Sequence, residues 1–381
     1  MVDFFFYGTL CHPPLLTAVL GREVAMVPAF LPAHTVRQAE AEGGGRPFPL
    51  LCAGGEGVQG VLVRGLNTAD AERLDYYEAG FAFAIHEVEV RAEGRAVPAR
   101  VYFADAGRWR EGAPWVLADW AARWGEVVSE AAVDFMAGIG KVAPESALAR
   151  YPSVLARAAS RVRARAPVPA TRRRQSAPGD VVIEAQHLEH AGFFSLELYR
   201  LRHRGFDGTM LAPIERTAFV STDVVVILAY DPQRDRVLLV EQFRIAPLAR
   251  GDANPWLLEP IAGRVDAGET PEAAARREAA EEAGLVLGDL IAGPRFYPSP
   301  GAKTEFVYSF LALCDLPDGI AGTGGLTHEG EDIRSHVLEF GEAEALMDTG
   351  EIATGPLWVM LLWLAPRRAA LRVQAMPDLR G

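Results

Sequence analysis

The sequence has 381 residues, of which 50% are hydrophobic and 23% are charged, a globular composition with a length that predicts two domains. The formal net charge of −12 excludes the overall basic field that attracts nucleic acid or anionic membranes. Cys11, Cys52 and Cys314 lie far apart and form no C-x-x-C motif, which argues against a disulfide framework or a zinc site. The N-terminus lacks the basic segment of a signal peptide, and the apolar run 356–366 is too short to span a bilayer, so we expect a cytoplasmic protein.

In the first half of the sequence, short runs rich in β-branched and aromatic residues alternate with helical segments. The predicted strands are 3–6, 60–64, 83–90 and 97–103, and the predicted helices are 67–77 and 114–136. Trp120 and Trp124 are one turn apart in the second helix. We expect both on the face of that helix that packs in the core.

Three segments of this half resemble the γ-glutamylcyclotransferase-like family over about residues 3–130: FFFYGTL, GVQGVLVRGL and LDYYEAGFAFAIHEVEV. The resemblance implies that the turn of Tyr7, Gly8, Thr9 and Leu10 offers backbone donors to a γ-glutamyl group. It also implies that Glu78 is the acid/base for cyclisation to 5-oxoproline. A carboxylate at a helix end that faces a pocket would have a raised pKa suited to proton transfer. A surface glutamate is the alternative for Glu78, and a metabolite-sensing or dimerisation module is the alternative for the domain.

Residues 156–180 are rich in Arg, Ala and Pro and poor in large apolar residues. Pro167, Pro169 and Pro178 would stop a helix, so we interpret this stretch as a helix tail followed by a linker between domains 1–155 and 181–381. The strands predicted in the second half are 181–186, 195–203, 223–230, 236–242 and 306–313, and the helices are 271–283, 342–349 and 356–371. This order is typical of a layered α/β sandwich.

The predicted helix 271–283 carries Glu278, Glu281 and Glu282 within about a quarter-turn of one another. Like charges at spacings of three and four residues repel across a helical turn. Mg²⁺ prefers a few carboxylate oxygens together with phosphate oxygens and water, so a bound cation would explain the cluster. The alternative is an exposed helix in which Arg277 and Glu281 form an i,i+4 pair.

This helix lies within a longer pattern that matches the Nudix box, G-x5-E-x7-R-E-U-x-E-E-x-G-U, in which U is an apolar residue. The matching residues are Gly263, Glu269, Arg277, Glu278, Glu281, Glu282, Gly284 and Leu285, and the small Ala279 at the first U is the one departure. The resemblance implies that Mg²⁺, or alternatively Mn²⁺, is held by Glu278, Glu282, Glu281 and the carbonyl of Ala262. It implies further that Arg277 orients the carboxylates, that Glu269 forms a structural pair, and that the reaction is hydrolysis of a substituted nucleoside diphosphate.

Segments outside the box extend the resemblance, over about residues 181–371, to bacterial ADP-ribose pyrophosphatases and especially to their tellurite-resistance-associated branch, although no residue suggests a tellurite site. They include PWLLEPIAG, YPSPGAKTE and HEGEDIRSHV. The substrate residues that the resemblance implies are Arg216, Arg244, Glu259, Pro300 and Glu305, with metal contact as an alternative for Glu305. Guanidinium groups suit phosphate oxygens.

A loop carboxylate serves as the general base in that family, which implies Glu329, and Glu331 is either a second catalytic carboxylate or a loop-ordering residue. Thr217 stands where relatives carry an acid, so the contacts to adenosine stay open. The resemblance also implies a homodimer.

The prediction is therefore an N-terminal α+β γ-glutamylcyclotransferase-like mixed barrel and a C-terminal α/β/α Nudix sandwich. The expected function is Mg²⁺-dependent hydrolysis of ADP-ribose to AMP and ribose 5-phosphate, and hydrolysis of a nucleotide sugar is the alternative. The expected partners are a small nucleotide and a second copy of the chain, with a γ-glutamyl compound at the N-terminal domain and neither nucleic acid nor membrane.

Overall fold

The computed structural model of the protein describes residues 1–40, 48–79, 83–104, 109–326 and 330–375. The chain divides into two compact units, Met1–Val168 and Pro169–Gly381. Within the described ranges, no helix combines the length and the apolar character needed to cross a membrane.

The N-terminal unit contains a closed barrel. The strands of the whole unit are β1 (Val2–Phe6), β2 (Val27–Leu31), β3 (His34–Glu40), β4 (Pro49–Ala53), β5 (Val58–Leu66), β6 (Phe83–Ala92), β7 (Arg95–Ala104) and β8 (Arg110–Pro114). Its helices are α1 (Pro13–Leu20), α2 (Thr68–Glu78), α3 (Leu117–Trp120), α4 (Glu126–Met136), α5 (Pro144–Ala149) and α6 (Tyr151–Ala164). The barrel order is β1-β5-β2-β6-β7, and β4, β3 and β8 form a separate sheet. Because β1 pairs with β7 in parallel and with β5 antiparallel, the predicted mixed barrel is confirmed.

The predicted helix 114–136 is wrong at its N-terminal end. Residues Arg110–Pro114 form strand β8, which pairs with β3, so tertiary pairing holds this segment extended and the helix begins only at Leu117. Trp120 and Trp124 are both buried, as predicted. Helix α6 ends at Ala164, within the stretch 156–180 that we interpret as a helix tail followed by a linker. Its residues Val154, Leu155 and Ala158 pack against α4.

The C-terminal unit is a layered α/β structure. Its strands are β9 (Val181–Ala191), β10 (Ser195–His203), β11 (Ile214–Val220), β12 (Val224–Asp231), β13 (Arg236–Phe243), β14 (Trp256–Glu259), β15 (Ile261–Arg264), β16 (Leu290–Phe296), β17 (Val307–Leu313), β18 (Thr323–Gly324) and β19 (Ile333–Glu339). Its helices are α7 (Ile245–Arg250), α8 (Pro271–Ala283), α9 (Phe340–Thr349), α10 (Gly355–Leu364) and α11 (Arg368–Ala375). A 3₁₀ turn at Ala365–Arg367 divides the predicted helix 356–371 into α10 and α11.

The central sheet of this unit has helices on both faces. Its strand order is β16-β17-β12-β13-β19-β18. Side chains alternate along β13, so that Leu238 and Val240 pack against α8, whereas Val237 and Leu239 pack against α9 and α10. The predicted α/β/α sandwich is therefore confirmed.

The central sheet splits next to α8. Strands β12 and β13 pair near their hairpin, from Ala229↔Leu238 to Asp231↔Arg236. Beyond that point β14 pairs with β13 and β15 pairs with β12, so the turn at Pro260 lies between two diverging strands. Strand β15 and the adjoining part of β12 pack against α8. Strands β9, β10 and β11 form a sheet of their own.

Candidate active site

Helix α8 carries the glutamate cluster at its C-terminal end. Thr270 caps the N-terminus by accepting a hydrogen bond from the amide of Ala273 (3.2 Å), and Gly284 ends the helix in the left-handed conformation with φ 63°. Ala274, Ala275 and Ala279 are fully buried, so the helix lies close against the sheet. Because the C-terminal end of a helix is its negative pole, carboxylates there require a compensating cation.

Arg277 supplies part of that compensation within the chain. Its Nε and Nη2 donate to the two oxygens of Glu269 at 3.1 and 3.0 Å, which forms a bidentate pair. Its Nη1 donates to Glu278 at 2.6 Å and to Glu281 at 3.0 Å, and Nη2 also donates to the carbonyl of Arg264 at 2.9 Å. Burial alone would lower the pKa of Arg277, but Glu269 and Glu278 outweigh it and raise that pKa. One guanidinium therefore orients three carboxylates.

Glu278 and Glu282 are the least solvated carboxylates of the cluster. Glu282 is 3% exposed, and its Oε2 accepts a hydrogen bond from the amide of Ala262 at 3.1 Å. Burial raises the pKa of Glu278 to about 7 and that of Glu282 to about 8. A Cβ on Gly263 would lie 1.9 Å from the carboxyl carbon of Glu278, so any other residue there would force that carboxylate to move. Ala262, Gly263 and the two carboxylates thus form one compact group.

The loop before β19 brings a further carboxylate to this group. Glu331 adds its charge to the causes that raise the pKa values of Glu278 and Glu282. Its Oε2 accepts a hydrogen bond from the amide of Leu326 at 3.0 Å, and the amide of Gly325 donates to the carbonyl of Glu281 at 3.0 Å. The loop is therefore tied to α8. Glu329, predicted as the general base, lies outside the described residues.

Arg244 and Glu259 lie at the ends of β13 and β14, at the split in the sheet. Arg244 Nε donates to Glu259 Oε2 at 2.7 Å. Burial raises the pKa of Glu259, and Arg244 acts in the opposite direction. The charge of Arg244 also lowers the pKa of Glu282, so this cation lies within electrostatic reach of the α8 carboxylates.

The donor atoms of this group fit a hard divalent cation. Among the described residues, no three or more His, Cys, Asp or Glu side chains form a preformed metal cluster, and Arg277 bridges Glu278 and Glu281 instead. Burial is the main cause that raises the pKa values of Glu278 and Glu282, and neighbouring carboxylates add to both shifts, so a bound cation would favour the charged form of each group. Carboxylate oxygens and a backbone carbonyl such as that of Ala262 are ligands that such a cation prefers.

The structure does not bring the other predicted substrate residues to this group. Arg216 is exposed on β11, where its Nη1 donates to the carbonyl of Glu215 at 2.8 Å. Pro300 is exposed in the loop between β16 and β17, and Glu305 pairs with Lys303 at 2.7 Å. In the described part of the chain, no hydrogen bond or ion pair joins these three residues to the α8 carboxylates.

One polar residue of the site was missed from the sequence. Gln242 is 6% exposed and lies on β13 between Glu241 and Phe243. By the alternation of β13 it shares the α8-facing side with Leu238 and Val240. The sequence does contain a signal for this residue, because Gln242 is a polar residue at the alternate position that follows the apolar Leu238 and Val240.

The N-terminal unit has a pocket that is lined mostly by aromatic side chains. Its lining residues are Phe5, Phe6, Tyr7, Gly8, Thr9, Leu10, Phe48, Pro49, Tyr77, Glu78, Phe83 and Tyr102. Glu78, the last residue of α2, is 9% exposed, and burial raises its pKa to about 8. A Cβ on Gly8 would lie 2.2 Å from Pro49 Cγ, so the turn at Gly8 requires glycine. The structure thus brings the predicted turn and Glu78 together in one cavity.

Comparisons with known proteins find a matching family model for each unit. A family model described as "NUDIX domain" matches residues 220–354, and one described as "Gamma-glutamyl cyclotransferase, AIG2-like" matches residues 4–122. Nudix hydrolases in general use divalent metal ions.

Individual relatives match the C-terminal half. A protein named ADP-ribose pyrophosphatase from Escherichia coli (strain K12) is 40% identical over 193 residues, which are 51% of this chain and 91% of the relative. A protein of the same name from Haemophilus influenzae is 35% identical over 195 residues, 51% of this chain and 89% of the relative. A GDP-mannose pyrophosphatase from Enterobacter sp. (strain 638) is 36% identical over 138 residues, 36% of this chain and 71% of the relative. With a relative matched over nearly its whole length and the box carboxylates gathered at the C-terminal end of α8, the chain belongs to the Nudix family of hydrolases.

Proposed function

We propose that the C-terminal unit hydrolyses the diphosphate of ADP-ribose to AMP and ribose 5-phosphate in the presence of Mg²⁺. The observation that carries the proposal is the pair of α8 carboxylates, the partly buried Glu278 and the buried Glu282, with Arg244 within electrostatic reach of Glu282. The names of the relatives from E. coli and H. influenzae support this choice of substrate.

The carboxylates of α8 would hold the metal ion. We assign Glu278, Glu282, Glu281 and the carbonyl of Ala262 as its ligands. When bound, a divalent ion polarises a diphosphate and lowers the pKa of a bound water. Arg277 keeps Glu278 and Glu281 in place through its Nη1, and its bidentate pair with Glu269 fixes the guanidinium itself.

Arg244 would bind a phosphate of the substrate. Among the described residues, the only hydrogen bond of its guanidinium is from Nε to Glu259, which leaves Nη1 and Nη2 for phosphate oxygens. Glu259 thereby orients the guanidinium from below. Glu331 accepts a backbone hydrogen bond within its own loop, which supports a loop-ordering role, and we assign the general base to Glu329.

We further propose that the enzyme is a homodimer. Arg216, Pro300 and Glu305 lie on exposed or partly exposed segments, and their predicted contacts with substrate would be made in the assembled dimer.

Release of AMP from ADP-ribose by the full-length protein, with Mg²⁺ and with EDTA, tests the proposal. GDP-mannose and ADP-glucose, at the same concentration, are the comparison substrates. Fast Mg²⁺-dependent AMP release from ADP-ribose supports it. Faster hydrolysis of either nucleotide sugar would favour the alternative, and no release from any of the three would contradict both.

A second candidate function concerns the N-terminal pocket, where a buried carboxyl has a pKa of about 8. We propose that Glu78 moves a proton during cyclisation of a γ-glutamyl compound. The α-amino nitrogen attacks the γ-carbonyl carbon, the bond to the leaving amine breaks, and Glu78 carries the proton from the attacking to the leaving nitrogen. The products are 5-oxoproline and the free amine.

Release of 5-oxoproline from γ-glutamyl amines tests this second function. Glu78→Gln should abolish release, whereas Glu72→Gln, on the exposed side of α2, should not. Binding of the γ-glutamyl compound without release by the unmodified protein would instead favour a sensing role.

A further inference from the structure

Gln242 has a buried amide whose donor capacity the chain does not use. Its side chain is 6% exposed, and no group among the described residues accepts a hydrogen bond from its Nε2. An unsatisfied buried amide donor destabilises a folded protein, so such groups are rare unless a ligand satisfies them.

The strand register places Gln242 on the face of the central sheet that packs against α8. Gln242 pairs with Leu257 on β14 and with Ile333 on β19, and Ile333 and Val240 belong to the core beneath α8. On the same face, Glu259 is diagonal to Gln242 because it pairs with Val240. Such diagonal neighbours lie about 7–8 Å apart, within reach of long side chains and of a shared ligand.

The neighbouring polar groups already have partners of their own. Glu259 accepts from Arg244 at 2.7 Å, and Glu331 accepts from the amide of Leu326 at 3.0 Å. Arg244 follows Gln242 by two residues, about 7 Å along an extended strand, and it begins the turn into α7. A ligand bound to the Arg244 guanidinium would therefore lie beside the unused amide.

We propose that Gln242 is a substrate-binding residue whose Nε2 donates a hydrogen bond to an oxygen of the diphosphate held by Arg244. This assignment rests on the proposed function of the C-terminal unit and adds a neutral donor to its charged groups. A second arginine or lysine at this position would form ion pairs with the surrounding carboxylates. A neutral amide donor can contact an anionic phosphate oxygen without forming such pairs.

The test is the affinity of the full-length protein for ADP in the presence of Mg²⁺, measured by calorimetry, because ADP offers a diphosphate without the second ribose. Gln242→Met removes the donor and preserves the side-chain volume. We expect ADP to bind about three- to tenfold more weakly to this variant, the loss of one hydrogen bond. Without ligand, its melting temperature should equal or exceed that of the unmodified protein, since an unsatisfied donor has been removed.

Gln233→Met is the matched control. Gln233 is exposed in the turn at the opposite end of the same hairpin, so the same chemical change should alter neither affinity nor melting temperature. Unchanged ADP affinity in Gln242→Met would overturn the proposal, and a lower melting temperature with unchanged affinity would assign Gln242 a structural role instead.

The outcomes separate this inference from the proposed function. If the unmodified protein binds ADP, and Gln242→Met alone loses affinity, the inference stands even when ADP-ribose is not the substrate that is hydrolysed fastest. If the unmodified protein fails to bind ADP and also releases no AMP from ADP-ribose, the proposed function and the inference both fail.

Discussion

The two units each bury glutamates, but in different surroundings. Glu78 lies among aromatic side chains, and burial is the one cause that raises its pKa to about 8. Glu278 and Glu282 have comparable pKa values, about 7 and 8, although Arg277 and a backbone amide act in the opposite direction. In the α8 group, neighbouring carboxylates contribute to the shift as well as burial.

This difference separates two kinds of chemistry. A single carboxyl in an apolar pocket can hold a proton near neutral pH and release it to a reactant, which suits general acid/base catalysis. Several carboxylates that share one guanidinium remain electrostatically unfavourable as anions until a cation binds. The same residue type therefore predicts a proton carrier in one unit and a metal site in the other.

The largest expected effect comes from Glu282→Gln. Loss of a metal ligand should reduce turnover of ADP-ribose by about a thousandfold, since a bound ion contributes several kcal/mol to the stabilisation of the transition state. The fold should persist, because the change removes a buried charge. Steady-state kinetics and a thermal melt measure the two effects. Glu272→Gln, at an exposed position in the first turn of the same helix, is the control, and equal turnover in both variants would contradict the ligand assignment.

Arg277→Met should lower stability more than any other single change in α8. It leaves Glu269, Glu278 and Glu281 without their shared cation, and we expect a loss of about 2–3 kcal/mol, less than for a fully buried pair because Arg277 is partly exposed. Arg276→Met is the control, because within the described part of the chain the Arg276 guanidinium donates to the carbonyls of Leu287 and Gly288 and to no carboxylate. Urea unfolding of both variants measures the difference. If Mg²⁺ restores the stability of Arg277→Met, a bound cation can replace the positive charge that Arg277 supplies to the α8 carboxylates.

Local signals in the sequence predicted α8 closely. The helix was expected over 271–283 and is observed over Pro271–Ala283, since a capping threonine, a first-turn proline and a terminal glycine determine its ends locally. Strand β10 matches its prediction for a similar reason, because the run is long and rich in strand-forming residues. Spacing within one helix therefore predicted which carboxylates lie together.

Features that depend on pairing between distant segments were not predictable in the same way. Strands β14 and β15 are four residues each, and their place in the split of the sheet depends on partners in β13 and β12. The position of Gln242 under α8 follows from that register. Arg216 matched a motif in sequence, yet it lies on a different sheet from the box, which sequence spacing does not reveal.

The burial of Glu78 among aromatic side chains can be tested by the pH dependence of the unfolding free energy. Its pKa of about 8 in the folded state lies above the ordinary 4.5, so folding favours the protonated carboxyl. The corresponding stability is complete below pH 4.5 and is lost as the pH rises toward 8, by at most about 1.4 kcal/mol per pH unit. Glu78→Gln should therefore match the unmodified protein in unfolding free energy near pH 5 and exceed it by a few kcal/mol near pH 8.

Denaturant unfolding of the N-terminal unit across this pH range, followed in the full-length protein, measures that gap. Glu72→Gln should run parallel to the unmodified protein, because Glu72 is exposed on the same helix. If the difference in unfolding free energy between Glu78→Gln and the unmodified protein stays constant from pH 5 to pH 8, Glu78 is exposed to solvent in solution. Its environment would then not be the apolar pocket that distinguishes it from the α8 carboxylates.

The smallest expected effect comes from Gly263→Ala, which tests how tightly the metal group is built. The added Cβ would lie 1.9 Å from the carboxyl carbon of Glu278 and 2.0 Å from one of its oxygens, so that carboxylate must shift. Because a long side chain can move by rotation, we expect a stability loss of only about 1 kcal/mol. A displaced ligand should still reduce turnover about tenfold, since catalysis is sensitive to small errors of position.

Gly341→Ala is the control for this change. A Cβ at Gly341 meets nothing within 4 Å, and its position in α9 should make alanine neutral or slightly stabilising. Turnover should therefore fall in Gly263→Ala alone, and the melting temperature should fall in Gly263→Ala but stay equal or rise slightly in Gly341→Ala. Full turnover in Gly263→Ala would mean that catalysis tolerates displacement of Glu278. Metal binding would then depend on Glu282 and its neighbours more than on the close contact between Glu278 of α8 and Gly263 of β15.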